Sequence, residues 1–156
     1  MWDKLRKQVA LEREQLHRLL EAYRPLVERC AASPPTPIEA SALGAMLHSF
    51  YNGIENMFKR IAEKLDGGAP GGEFWHRELL DSMSVPGETR SAVISEQLAE
   101  SLDDYLTFRH LFRHAYTFNL RWDRMKTLVL GCEDTLTQLE SELDRFLEAG
   151  DPDGER

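Results

Sequence analysis

The chain has 156 residues, a hydrophobic content of 42% and a formal net charge of −8 at pH 7. This size and composition are ordinary for one soluble globular domain with its own core, and no apolar run approaches the roughly 18 residues of a membrane span. The acidic balance argues against non-specific nucleic-acid binding by the whole monomer, but it allows a local cationic site.

Neither the start of the chain nor its cysteines point to secretion. Met1-Trp2-Asp3-Lys4 leads directly into charged helical sequence, without the apolar core of a signal peptide. Cys30 and Cys132 are far apart and lack CxxC spacing, so we expect buried free thiols. Together these features predict a cytoplasmic protein.

Two helices joined by a stiff turn are predicted for the N-terminal part. Apolar residues recur at helical spacing from Trp2 to about Ala31, and Pro25 should bend or break that helix. Ser33-Pro34-Pro35 forms the turn. Thr36-Pro37-Ile38-Glu39 then predicts a capping box with proline at the first helical position, and the helix that it starts should run to about Leu65.

The middle of the chain predicts a flexible glycine-rich loop over residues 67–72, after Asp66 ends the second helix. Phe74 to Ser84 fits a short helix, which Pro86-Gly87 breaks. A longer helix is expected from about Ser95 to Phe118.

The last long segment has the clearest pattern. Its apolar residues recur at alternating spacings of three and four, as in a coiled-coil seam: Trp122, Met125, Val129, Cys132, Leu136, Leu139, Leu143 and Phe146. Gly150 and Pro152 should end this helix, and residues 151–156 should form a frayed tail. Because strand-like alternation and internal repeats are missing, residues 1–150 are predicted to form one all-α domain, an up-and-down bundle of four to five helices.

A concentrated cationic segment lies within the helix predicted from Ser95 to Phe118. Residues 109–116 run Arg-His-Leu-Phe-Arg-His-Ala-Tyr, so two guanidiniums, two imidazoles and a phenol fall within eight positions. From Arg109 to Lys126 the local charge is +4, five basic residues against Asp123, on a chain that carries −8 in total. Such a patch on an acidic protein indicates a site for a phosphate or another anion.

On an ideal helix these side chains do not share one face. An apolar arc should face the bundle, and it comprises Phe108, Leu111, Phe112, Ala115 and Phe118. Arg109 and Tyr116 fall at one margin of this arc and should be neighbours along a ridge, whereas His110 and His114 point away from it. Since His114 lies about 140° from Arg109, the two can meet one target only through a local helix distortion or a two-fold dimer, and we favour the dimer.

Plainer interpretations stay open for each of these residues. Arg109 is also placed to pair with Asp103 or Asp104, and Tyr116 to lie at the margin of the core with its hydroxyl in water. The spacing of His110 and His114 matches that of zinc ligands on a helix, but the flanking arginines would repel a cation. We therefore expect a solvated histidine pair, with no metal and no cofactor.

Two residues of the second helix are further candidates. Tyr51 and Glu55, at i and i+4, are placed to line a substrate cleft, although such pairs are more commonly contacts on a helix surface. With His110 and Arg113 they complete the set of candidate substrate-binding residues.

Arg109-x4-His114-x-Tyr116, on the penultimate long helix of a small α-bundle, resembles the RxxxxHxY motif of HEPN-domain proteins. The chain looks most like the HepT-type ribonuclease toxins of toxin–antitoxin pairs, over most of its length. Residues 47–56 and 108–114 both look like HepT-like relatives.

The resemblance implies a metal-independent endoribonuclease that acts as a homodimer, with motif residues of both subunits lining a shared cleft. Arg109 and His114 would be the catalytic pair, acting on an RNA such as tRNA or mRNA. Tyr116 would be the motif position that a minimal nucleotidyltransferase antitoxin can AMPylate. Adding AMP beside Arg109 would then compete with the substrate phosphate sterically and electrostatically.

Histidine and arginine suit this chemistry, because cleavage without metal needs a base, an acid and a cation for the crowded phosphorane. Two other hypotheses stay open. One is a non-catalytic HEPN module that docks a nucleotidyltransferase or a nucleotide. The other is an unrelated helical interaction protein whose Arg/His patch binds some other anion or acidic partner.

Overall fold

The computed structural model describes residues 2–150, apart from the side chain of Phe118. These residues form α1 (Trp2–Ala32), α2 (Pro37–Leu65), α3 (Trp75–Met83), α4 (Glu96–His114) and α5 (Trp122–Gly150), with a short 3₁₀ helix, Thr117–Asn119, before α5. Over this part of the chain there is no strand, so the all-α prediction is confirmed. The predicted tail, residues 151–156, lies outside the described residues.

The long helices run antiparallel to their neighbours, as side-chain contacts across them show. At one end of the α1–α5 pair, Arg6 Nη2 donates to the carbonyl oxygen of Leu147 at 2.9 Å, and further along Arg24 Nη2 donates to Glu133 Oε1 at 2.9 Å. Between α4 and α5, the Tyr105 hydroxyl donates to the Leu128 carbonyl at 2.8 Å. The predicted up-and-down bundle is therefore confirmed, with α3 inserted between α2 and α4.

Helix α2 is the centre of the bundle, since it packs against the other four α-helices and the 3₁₀ helix. Its largest side chains, among them Phe50, Tyr51 and Phe58, are completely buried, and each large apolar side chain buried in this way contributes about 1.5–3 kcal/mol. At Gly53 a Cβ would lie 2.6 Å from Leu16 Cδ2, so the missing side chain allows α1 to approach α2 closely.

The predicted helix boundaries hold where local capping decides them. The capping box is present, because the Thr36 amide donates to Glu39 Oε1 at 2.9 Å and the Glu39 amide donates to Thr36 Oγ1 at 3.2 Å. Of the two outcomes predicted for Pro25, a break does not occur: α1 continues through it. Contacts with α2 and α5 on its sides hold α1 together despite the missing N–H of the proline.

The predicted stripe of α5 is also confirmed, because its residues from Met125 to Phe146 are buried and Trp122 is half-buried. Cys30 and Cys132 are free and buried, as expected. None of the helices within residues 2–150 has the length and apolarity to cross a membrane.

Candidate functional site at the end of helix α4

Helix α4 ends earlier than the sequence predicts. Its last residue is His114, after which Ala115 (φ −104°, ψ 151°) and Tyr116 (φ −70°, ψ 137°) are extended. The predicted helical ridge shared by Arg109 and Tyr116 is therefore wrong. The physical reason is the reversal into antiparallel α5: a helix continued to Phe118 would leave only residues 119–121 to turn the chain.

The buried face of α4 stops at Phe108, so the last turns of the helix lie at the surface. Phe112 and Ala115 are half-buried, but Leu111 is 46% exposed, and the prediction that the whole apolar arc faces the bundle is wrong for this residue. Phe118 is also predicted to face the bundle, and its side chain lies outside the described part of the structure. Leu111 thus leaves apolar surface exposed at this end of α4, next in the sequence to the exposed His110.

Arg109 is half-buried and is held by α2. Its Nε donates to Asn52 Oδ1 at 2.7 Å. The plainer interpretation, a pair with Asp103 or Asp104, is not realised: Asp103 Oδ1 lies 2.5 Å from Arg77 Nη1 of α3, and no ion pair joins Arg109 to either carboxylate. A single guanidinium nitrogen is thus anchored by a neutral amide, which leaves the other N–H groups of the fork free to meet a ligand.

The imidazole of His48, one turn before Asn52 on α2, lies next to the contact between Asn52 and Arg109. Its ring is tilted against that of Phe112 with 5.7 Å between centroids, and its Nδ1 lies 3.4 Å from Asn52 Nδ2. Burial lowers the pKa of His48, and the positive charges of Arg109 and Arg113 lower it further. His48 is therefore neutral at neutral pH, beside two permanent cations.

Gly44 makes this contact between α2 and α4 possible. A Cβ at Gly44 would lie 2.8 Å from Phe112 Cε2 and 3.0 Å from Leu120 Cδ1. The missing side chain lets the Phe112 ring lie against α2, where it meets His48 one turn further along.

His48 and Asn52 were not singled out by the sequence analysis, although both fall within the stretch 47–56 that resembles the HepT type. Their i,i+4 spacing on α2 is a usable signal for side chains on one face. That this face would meet Arg109 depends on the packing of α2 against α4, which the pattern of a single sequence does not specify.

The exposed histidines form a separate group on α4. His110 and His114 are both exposed, with 4.6 Å between their ring centroids, as expected for a solvated pair. In the part of the chain that the structure describes, no three His, Cys, Asp or Glu side chains are grouped to hold a metal ion. Arg113 is exposed as well, and Tyr116 is 74% exposed in the extended segment after α4.

Tyr51 and Glu55 lie in the interior, so the prediction that they line an open cleft is wrong for the single chain. Tyr51 is fully buried, and burial together with the nearby Glu55 charge raises its pKa. Glu55 is 4% exposed, and its Oε2 accepts a hydrogen bond from His76 Nδ1 of α3 at 2.8 Å. The alternation of apolar and polar residues on α2 does not reveal that α3 covers this part of the helix.

Comparison with known proteins gives one match. A family model described as HepT-like protein matches residues 42–150, which is more than half of the chain. The matched range includes His48 and Asn52 of α2 and the whole of α4. No curated protein and no solved structure matches the chain.

Proposed function

The chain belongs to the family of HepT-like proteins, and from this membership and the site on α4 we propose that it is the toxin of a type II/VII-like toxin–antitoxin pair. Its activity would be that of a metal-independent endoribonuclease. The family membership excludes the hypothesis of an unrelated helical interaction protein. The resemblance seen in the RxxxxHxY motif is thereby confirmed at the level of the family.

One observation carries the proposed activity: Arg109 is fixed by Asn52 and has no carboxylate partner in the described part of the chain. A guanidinium anchored at Nε is pre-organised, so it loses little freedom when its remaining N–H groups bind phosphate oxygens. Arg113, one turn further along α4, adds a second cation for the same anion.

A two-fold dimer would supply the imidazole that the motif implies. On one helix His114 is directed well away from Arg109, whereas a second protomer facing this end of α4 would bring its own His114 to the site. Leu111, within the motif segment, and Tyr116, at its end, are both exposed and offer apolar surface for that contact.

The proposed reaction follows from these groups. A histidine takes the proton of a ribose 2′-hydroxyl, and the 2′-oxygen forms a bond to the adjacent phosphorus. The P–O5′ bond breaks and the leaving oxygen receives a proton from a second imidazole, which gives a 2′,3′-cyclic phosphate and a 5′-hydroxyl. Arg109 stabilises the charge of the phosphorane.

Tyr116 is the proposed control point. Its phenol is 74% exposed in an extended segment, where a nucleotidyltransferase antitoxin can reach it. The phenolic oxygen would attack the α-phosphorus of ATP and release pyrophosphate, and the attached AMP would add an anion to the segment that directly follows α4.

Expression in bacteria and assays with the purified protein test this function. We expect wild type to slow growth and to degrade RNA such as tRNA or mRNA, and His114→Ala to do neither. His17→Ala is the matched control, because His17 is an exposed histidine of α1, bonded to Glu140. If wild type and His114→Ala are equally harmless in cells and the purified wild type leaves RNA intact, or if wild type forms a stable complex with a nucleotidyltransferase and never cleaves RNA, the non-catalytic binding module replaces the ribonuclease.

A further inference from the structure

The contact between α2 and α4 places an imidazole outside the motif next to the motif arginine. His48 and Asn52 lie one turn apart on α2, and both side chains face α4 at the level of Arg109 and Phe112. His48 thus approaches the two arginines within one protomer, whereas His110 and His114 form their own exposed pair.

The hydrogen bonds determine which tautomer the neutral His48 ring adopts. Asn52 Oδ1 accepts from Arg109 Nε, so the Asn52 NH₂ group is the one that faces His48 Nδ1, at 3.4 Å. An amide N–H donates, and Nδ1 is therefore the accepting nitrogen. In the neutral ring the proton then sits on Nε2, which becomes a hydrogen-bond donor for a group outside this contact.

The charges around His48 are positive on the α4 side. Arg109 and Arg113 both act on it from α4, and Phe112 of the same helix is uncharged. On the α1 side, Glu12 and Arg18 line the adjacent groove of about 440 Å³ that Asn52 borders, and they are of opposite sign. Burial and the two positive charges therefore disfavour a charged imidazole, and a bound anion would offset the effect of the charges.

We propose that His48 is a phosphate ligand of this site, donating its Nε2 hydrogen to an oxygen of the phosphate group that Arg109 and Arg113 hold. Asn52 is the positioning residue that links His48 to Arg109. Binding of the anion is coupled to proton uptake by His48 at Nδ1, which gives up its 3.4 Å contact with the Asn52 NH₂ group while Nε2 still donates to the phosphate. Affinity for a phosphate diester therefore rises as the pH falls, over the range in which His48 titrates.

This inference rests on the proposed function only for the identity of the natural ligand, RNA. A short 2′-O-methyl oligoribonucleotide tests it without cleavage, because the attacking hydroxyl is blocked. The measurements are the dissociation constant between pH 5 and pH 8 and the NMR titration of the histidine rings, with and without the oligonucleotide.

We expect the oligonucleotide to raise the pKa of His48 and to leave the ring resonances of His17 unperturbed, since His17 lies on α1 beside Glu140. His48→Leu should weaken binding about ten-fold or more, the usual effect of losing a hydrogen bond to a charged group. His48→Gln retains an N–H donor at a similar distance, so it should bind nearly as well as wild type but lose the pH dependence.

The outcomes separate the two proposals. If the oligonucleotide shifts His48 as expected but the wild-type protein cleaves no RNA, the phosphate site stands and the ribonuclease fails. If wild type cleaves RNA while His48→Leu and His48→Gln bind with the affinity and pH dependence of wild type, this inference is overturned. Absence of any binding by wild type also overturns it, and circular dichroism of each variant excludes misfolding.

Discussion

Two interfaces of the bundle use arginine in opposite ways. Between α1 and α5, Arg13 donates to Glu140 at 2.8 Å and to Asp144 at 2.6 Å, and Arg24 pairs with Glu133. Between α2 and α4, Arg109 donates to the neutral amide of Asn52 and has no carboxylate partner among residues 2–150. Charge that is already paired holds two helices together, whereas charge left without a carboxylate is available to an anion from outside.

The same comparison applies to the histidines. His17, at the α1–α5 interface, has a carboxylate 2.8 Å away in Glu140. His48, at the α2–α4 contact, has two guanidiniums nearby, and burial and these charges lower its pKa. One imidazole is therefore placed to stabilise a fold contact and the other to respond to a bound anion.

Removing one arginine from each interface gives the largest expected contrast. Arg109→Ala should reduce the RNA cleavage rate by about 10²–10³-fold, the typical effect of deleting one group that stabilises transition-state charge, with little change in stability. Arg13→Ala should leave cleavage unchanged and lower the free energy of unfolding by no more than about 1 kcal/mol, because its ion pairs are partly exposed.

Cleavage assays and urea unfolding measure the two effects. Arg109→Lys is the matched variant, since it keeps the charge but loses the planar fork, and we expect it to recover only part of the rate. Equal loss of activity in Arg13→Ala would show that the two interfaces are not functionally distinct.

Asn52→Asp would give the α2–α4 interface an arginine–carboxylate pair like those between α1 and α5. The new carboxylate would pair with Arg109 Nε and neutralise part of the site, so the affinity for an oligonucleotide should fall about ten-fold, the effect of about 1.4 kcal/mol. The free energy of unfolding should stay the same or rise.

Asn56→Asp is the control for this change. Asn56 is exposed on the same helix, one turn from Asn52, and borders the same groove, so it adds the same charge without reaching Arg109. Similar losses of affinity in both variants would mean that overall charge is responsible, and the specific pairing of Arg109 would be refuted.

The sequence predicts the helices more completely than it predicts the site. Helix order, the capping box at Thr36 and the stripe of α5 follow from periodicity and local hydrogen bonding, which are properties of neighbouring residues. The motif residues Arg109 and His114 could also be found, by resemblance. The early end of α4 and the burial of Tyr51 could not, because they depend on the reversal into α5 and on coverage by α3.

The smallest expected effect is on the pH dependence of stability. In the folded chain the pKa of His48 is below its ordinary value near 6.5, so the unfolded chain takes up a proton first as the pH falls. Where the unfolded state binds more protons, stability rises with pH, and His48 therefore destabilises the fold below about pH 6.5. His48→Gln should flatten this part of the curve. Urea unfolding of wild type and His48→Gln from pH 5 to pH 8 gives both curves, and a wild-type stability that falls no faster than that of His48→Gln would contradict the lowered pKa of His48.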